Sequence, residues 1–402
     1  MSDFEKLVEK AVEDRTVPGV VLLAKDKSGK VNYSKAFGRR SLRPGYEEPL
    51  QTNDIYTLMS LSKLITTIAA LQVVERGLIS LDADLASHLP ELAAQPVLRG
   101  FKPDSAPSDP SAAILGPRTK PITLRHLLTH SSGLGYPFLS PTLGRYCAAA
   151  GLETGLASGA PSVEAQFLYP LLFEPGEGFT YGSGLDWAGR LIERLTGLDL
   201  ESYLAANVFA PLGIKDATFY PERRPDLTPR LVDLATRDPA TGKIVPTPGE
   251  KPQVPAPAKA AFGGQGLCAD LNDYLLVLES LLRDDRRLLR PETAALMFQP
   301  QLEPKAREAC LKTFEDPSWA VGSVPPTGEY DWALGGLLVD GDAHEYRQNG
   351  CLLWGGLYNI AWFVDRKAGV AGIIGAQMVP TADPEVEKLI VAFEKEVYSM
   401  AK

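Results

Sequence analysis

Hydrophobic and polar positions along this chain change period several times, and each change marks an element. Residues 3 to 14 put Phe4, Leu7, Val8 and Val12 on one side, the spacing of an amphipathic helix. After Pro18 and Gly19, the run VVLLAKDKSGKVNYSKAFG reads as two strands turning at Asp26 to Gly29, where Ser-Gly supplies the turn chemistry. At the far end, Asn359 to Asp365 and Val370 to Gln377 read as strands, and residues 383 to 400 as an amphipathic helix. Strands near both termini, each flanked by a terminal helix, predict one antiparallel sheet completed by the two ends of the chain.

Between these ends the pattern is helical. Segments 81–92, 122–130, 163–173, 184–197, 200–213 and 271–285 have helical periodicity, and connectors rich in Pro and Gly at 101–121 and 244–260 interrupt it. The expected class is α/β (α+β): a sheet domain from residues 1–83 and 205–402, a mainly helical domain from 84–204, and a cleft between them.

One stretch breaks the amphipathic rule. From Asp54 to Leu78, Leu64, Ile65, Ile68, Ala69, Leu71, Val73 and Val74 surround a helix with almost no polar face, so it is expected to be buried on nearly all sides, stopping at Gly77. Ser60 and Lys63 stand at its mouth, three residues apart on one face. A lysine against this apolar helix loses hydration, which disfavours its charged form and suits it to accept a proton. The helix start offers the Ser60 backbone N–H to a developing oxyanion. A capping serine and a snorkelling lysine are the common alternative for such a pair.

Two further stretches carry chemistry. In residues 175–197, Tyr181 precedes Gly182-Ser183-Gly184 and a helix, a loop that projects the phenol into a cleft, where it can shuttle a proton to or from Ser60. A tyrosine that packs its ring and bonds a carbonyl is the ordinary reading. In CLLWGGLYNIAWF, Trp354-Gly355-Gly356 is expected at the start of a strand, with an edge-strand N–H, assigned to Leu357 with Gly356 as the neighbouring choice, as second oxyanion donor. No serine has glycine both two before and two after it, so the nucleophile elbow of the Ser-His-Asp α/β-hydrolases is missing.

Composition narrows the remainder. A hydrophobic fraction of 45% with 23% charged residues is that of an ordinary globular protein. No apolar run spans a bilayer and the charged start is unlike a signal sequence, so the expected location is cytoplasmic, with no membrane partner. Cys147, Cys268, Cys310 and Cys351 are scattered, indicating neither a disulfide framework nor a structural zinc site. His126 and His130 stand four apart with no glutamate of the metalloprotease pattern between them, which favours packing over metal binding. A net charge of -9 without a basic run argues against a nucleic-acid surface. The expectation is therefore no metal and no cofactor.

The order Ser60-x-x-Lys63, Tyr181-Gly-Ser183, Trp354-Gly-Gly resembles the serine β-lactamase and penicillin-binding-protein superfamily, specifically its class C-like branch. The strings SKLITTIAALQ, ITLRHLLTHSSGL, YGSGLDWAGRLIERLTGLDL, FGGQG and LLRPETAALMFQP carry the likeness from first helix to last, toward the fungal lovastatin-pathway acyltransferases and statin esterases. The resemblance implies that fold, with Ser60 as nucleophile, Lys63 and Tyr181 as proton acceptors, and Trp354 to Leu357 as the substrate-side strand. It also implies that Tyr136 and Ser183 lie at the substrate. Class C β-lactamases resemble one another in having asparagine where Ser183 stands and Lys-Thr-Gly where Trp354-Gly-Gly stands. Losing that lysine disfavours binding of a β-lactam carboxylate, and of a free carboxylate in a D-amino-acid peptide.

The leading expectation is a serine esterase or acyltransferase acting through acyl-Ser60 on an ester or thioester of a polyketide-like small molecule, with water or an alcohol as acceptor. An acyl-carrier protein is a possible donor, with Arg223, Arg224 and Arg230 as its docking cations. The alternatives are a β-lactamase, a peptidase of the same superfamily, and a binding module that has lost its chemistry.

Overall fold

The structure, a computed structural model, describes residues 2–152, 155–156, 159–249 and 258–402. Seven antiparallel strands form its sheet: β1 (Gly19–Asp26), β2 (Asn32–Gly38), β3 (Tyr330–Trp332), β4 (Leu337–Val339), β5 (Leu352–Gly356), β6 (Ile360–Asp365) and β7 (Val370–Gly375). Their order is β2-β1-β7-β6-β5-β4-β3, and β1 pairs with β7 from Val21 opposite Gly375 to Asp26 opposite Val370. The chain ends therefore meet inside one sheet, as the periodicity predicted.

The principal helices are α1 (Asp3–Glu13), α2 (Ser62–Glu75), α3 (Gly184–Thr196), α4 (Leu271–Arg283) and α5 (Pro384–Met400). Helices α1 and α5 cover one face of the sheet and α4 the other. A Cβ on Gly372 would meet Phe393 of α5, whereas one on Gly375 would meet Leu271 of α4. Both faces being covered, β1 is buried along nearly its whole length, while edge strand β2 keeps exposed positions.

Helix α2 is buried at every residue from Ser62 to Val73, as its unbroken apolar sequence required. It lies against α3 on one side and the 262–266 loop on another. Each fully buried Leu or Ile there contributes roughly 1.5–3 kcal/mol, which fixes the helix as the pivot of the molecule.

The sequence reading fails at three places, each for a local reason. Over 81–92 only Pro90–Ala93 is helical. Leu81, Leu85 and Leu89 keep helical spacing because turns also bury them, with Leu85 N–H donating to Ile122 O. Over 163–173 the helix ends at Phe167, since Pro170 disfavours helix before it and Leu171 instead bonds Pro96 and Leu98. Trp354-Gly355-Gly356 closes a strand instead of starting one, and β5 lies inside the sheet. Neighbouring β4 pairs only with Leu352 and Leu353, so the glycine end of β5 is nevertheless an edge. Residues 250–257 of the connector 244–260 lie outside the described residues. Among the described residues, no helix is long and apolar enough to cross a membrane.

Candidate active site

Ser60 sits in a single 3-10 turn, Met59–Leu61, that runs directly into α2. A 3-10 turn nearly eclipses side chains three apart, which brings Lys63 Nζ to 3.1 Å from Ser60 Oγ. Met59, just before, has φ of +51°, a left-handed conformation that a non-glycine residue adopts only when its surroundings impose it.

The end of β5 packs against this turn. A Cβ on Gly356 would fall 2.5 Å from Leu58 O and 2.8 Å from the Leu61 side chain, and one on Gly355 would fall 2.5 Å from Val321 O. The two glycines thus admit protein backbone. This contact seats Leu357 beside the Ser60 turn, and both residues line the same cavity.

Lys63 is 2% exposed, so its head must be satisfied by protein. Besides Ser60, Nζ reaches Gly264 O at 2.7 Å and Tyr136 OH at 3.4 Å, and it lies 4.7 Å from the centre of the Tyr181 ring. The Tyr181 hydroxyl accepts a hydrogen bond from Trp354 Nε1 at 2.9 Å, and no direct bond from it to Ser60 or Lys63 is present among the described contacts. His130 supports Tyr181 from behind, ring centres 4.5 Å apart, with Nδ1 accepting from Gly182 N–H. Burial first, and the Lys63 charge second, push the imidazole well below its ordinary value, so it stays neutral. His126 caps its own helix through Nδ1, accepting from Thr123 N–H. Both histidines therefore serve packing and hydrogen bonding, and no cluster of metal-ligating side chains occurs among the described residues.

The cavity above Ser60 measures about 250 Å³. Phe138, Leu139, Leu156, Trp319, Ala320, Val321 and Trp354 make it mainly apolar, and Ser60, Tyr136, Tyr181, Gln265 and Thr381 bring polar groups to it. It suits an apolar small molecule presenting one polar, reactive bond.

A family model for beta-lactamase matches residues 4–394. The chain belongs to the beta-lactamase family. Within it, the chain is 40% identical over 404 residues to the monacolin J acid methylbutanoyltransferase of Aspergillus terreus, covering 98% of this chain and 95% of that protein. It is 42% identical over 394 residues to a lovastatin esterase of Penicillium rubens, covering 96% of each. A mutant simvastatin synthase from Aspergillus terreus superposes with a TM-score of 0.89 at 40% identity, covering 99% of this chain and 96% of that one. The similar proteins are thus a transferase and an esterase of one fold, and this member of the beta-lactamase family is an enzyme of that acyltransferase and esterase group.

Most of the residues singled out in the sequence converge. Ser60, Tyr136, Tyr181, Trp354, Gly355, Gly356 and Leu357 line the cavity, with Lys63 immediately behind Ser60. Ser183 does not join them. It is fully buried at the start of α3, its Oγ has no partner among the described residues, and it is not part of the cavity wall. The docking cations fare no better: Arg224 pairs with Asp216 and Asp226, Arg230 with Asp216 and Asp270, and Arg223 with Glu222. With carboxylates interleaved, that segment is not a basic patch.

Asp186 was missed. It is fully buried on the first turn of α3, accepting from Gly264 N–H at 2.9 Å and from Tyr136 OH at 3.3 Å. An acidic residue at a helix start reads as routine dipole pairing, so its sequence position raised no signal. The FGGQG string was informative: a Cβ on Gly264 would lie 2.5 Å from Asp186 Oδ2, so this loop has to be glycine to touch the carboxylate.

Proposed function

We propose that the protein is a serine esterase or acyltransferase that forms an acyl-Ser60 intermediate from an ester or thioester of a polyketide-like small molecule. The observation that carries this is the 3.1 Å contact between Ser60 Oγ and buried Lys63 Nζ at an apolar cavity. Lys63, acting as the base, takes the hydroxyl proton as Oγ bonds to the acyl carbon, and returns it to Oγ when the acyl group leaves. The Ser60 and Leu357 backbone N–H groups receive the oxyanion, since the Gly356 contact packs the end of β5 against the Ser60 turn. Tyr181, its oxygen held by the Trp354 indole, passes a proton to the leaving oxygen and later takes one from the acceptor.

In this reading the sheet domain (1–83 and 205–402) supplies Ser60, Lys63 and Trp354, and the helical domain (84–204) supplies Tyr136 and Tyr181. The acyl group passes to water or an alcohol, and an acyl-carrier protein is one source of it. The names of the similar proteins, a methylbutanoyltransferase and a lovastatin esterase, support both outcomes.

The test is incubation with a short-chain aryl ester followed by intact mass. A serine-linked acyl adduct that disappears in Ser60→Ala is the expected result, and alcohol acceptors then divide transfer from hydrolysis by product partition. Absence of both adduct and turnover on every activated ester tried would overturn the proposal.

A further inference from the structure

We infer that Asp186 is a positioning residue: by fixing Tyr136 and Gly264 as hydrogen-bond acceptors for Lys63, it aims the lysine lone pair at Ser60. This rests on the reading of Ser60 and Lys63 above and adds to it what makes the amine a directional base.

Lys63 acts as base only from its neutral form, in which the amine carries two hydrogens and one lone pair. Lys63 Nζ has three partners: Gly264 O, Tyr136 OH and Ser60 Oγ. A carbonyl can only accept, so Gly264 takes one N–H. Tyr136 OH could face either way, and Asp186 decides. The carboxylate accepts the phenolic proton at Oδ2, which leaves the Tyr136 oxygen to accept the second N–H of Lys63. Only the lone pair then remains for Ser60.

The same carboxylate holds Gly264 through its backbone N–H, so both fixed partners of the amine are tied to one group. Thr66 Oγ1 donates to Gly263 O at 2.7 Å and completes the clamp of α2 and α3 on this loop. Asp186 itself is separated from the substrate cavity, which Tyr136 and Gln265 line. Tyr136 keeps its proton, because burial, then the Asp186 charge, push it well above its ordinary value.

Charged and titratable groups face Asp186 from three sides. Lys63 approaches from α2, Tyr136 from a loop before α3, and the Gly264 N–H with Gln265 from the 262–266 loop. Burial raises the carboxyl to about 6, against the opposing effects of Lys63 and these hydrogen bonds. Above that pH the ionised group accepts from Tyr136. Below it the acid can donate to the Tyr136 oxygen, turn the phenolic proton toward Lys63 and disturb the lone pair.

The experiment is pre-steady-state release of the alcohol from an aryl ester, from about pH 5 to 7.5, on the full chain and Asp186→Asn. The amide can still accept from Gly264 but donates to Tyr136, so it imitates the protonated acid at every pH. Expected are an acylation rate lower by about 10- to 100-fold with KM unchanged, and loss of the limb near pH 6. A purely structural role would lower thermal stability and leave the limb in place. If Asp186→Asn does not fold, Tyr136→Phe decides, since removing the hydroxyl must also remove that limb. An Asp186→Asn protein acylated as fast as the unaltered one, or a Tyr136→Phe protein retaining the limb, would overturn the inference. No Ser60 adduct on the unaltered protein would instead remove the underlying reading.

Discussion

Gly356→Ala isolates the contact that joins the strand end to the nucleophile turn. The added Cβ would stand 2.5 Å from Leu58 O, and ordinary contact begins at 3.4 Å, so the two backbones must part by about 0.9 Å. Neither side yields freely: Leu58 N–H is bonded to Leu267 O at 2.9 Å, and Gly356 is paired with Ile360 in β6. Overpacking of this kind costs about 1–3 kcal/mol in stability. The larger effect falls on chemistry, since a displacement near 1 Å between reacting groups can slow a reaction about 100-fold. Rapid-quench measurement of acyl-Ser60 formation should show that loss while urea unfolding shows only the modest one. Acylation of Gly356→Ala at the unaltered rate would refute the oxyanion role given to this end of the strand.

Trp354→Phe removes the N–H held at 2.9 Å from the Tyr181 oxygen; such a bond is worth about 0.5–1.5 kcal/mol, so kcat should fall by about 2- to 13-fold. Steady-state kcat within a factor of two of the unaltered protein would remove Trp354 from the proton relay. His344 is pushed down to about 4, first by burial and then by the Arg347 charge. Its unfolded form therefore binds a proton that the folded form refuses, so its contribution to stability is complete above about pH 6.5 and is lost as pH falls toward 4. Its Nδ1 accepts from Tyr346 and Arg347 backbone N–H groups. His344→Asn can retain such an acceptor without titrating, so its urea-unfolding free energy should decline less over that window. An identical decline in both proteins would contradict the assignment.

Among the elements, those with one unambiguous period were readable from the sequence. Helix α2 was legible because nothing polar interrupts it, and β1, β6 and β7 because short apolar runs end at turns. Residues 81–89 misled because turns can bury every fourth residue without being helical. At the site, Ser60 and Lys63 were legible because three residues of local spacing suffice to join them. Ser183 was carried in by resemblance and proved to be buried away from the cavity.

By itself, then, the sequence determined what a few consecutive residues can enforce: a buried helix and the serine-lysine pair at its start. Tertiary structure alone decided which distant segments touch. Asp186, Gly264 and Tyr136 lie on three separate stretches, and Trp354 is 173 positions from the phenol it bonds. The strength and direction of such hydrogen bonds depend on removal from water and on atomic placement, and neither exists until the chain has closed around α2.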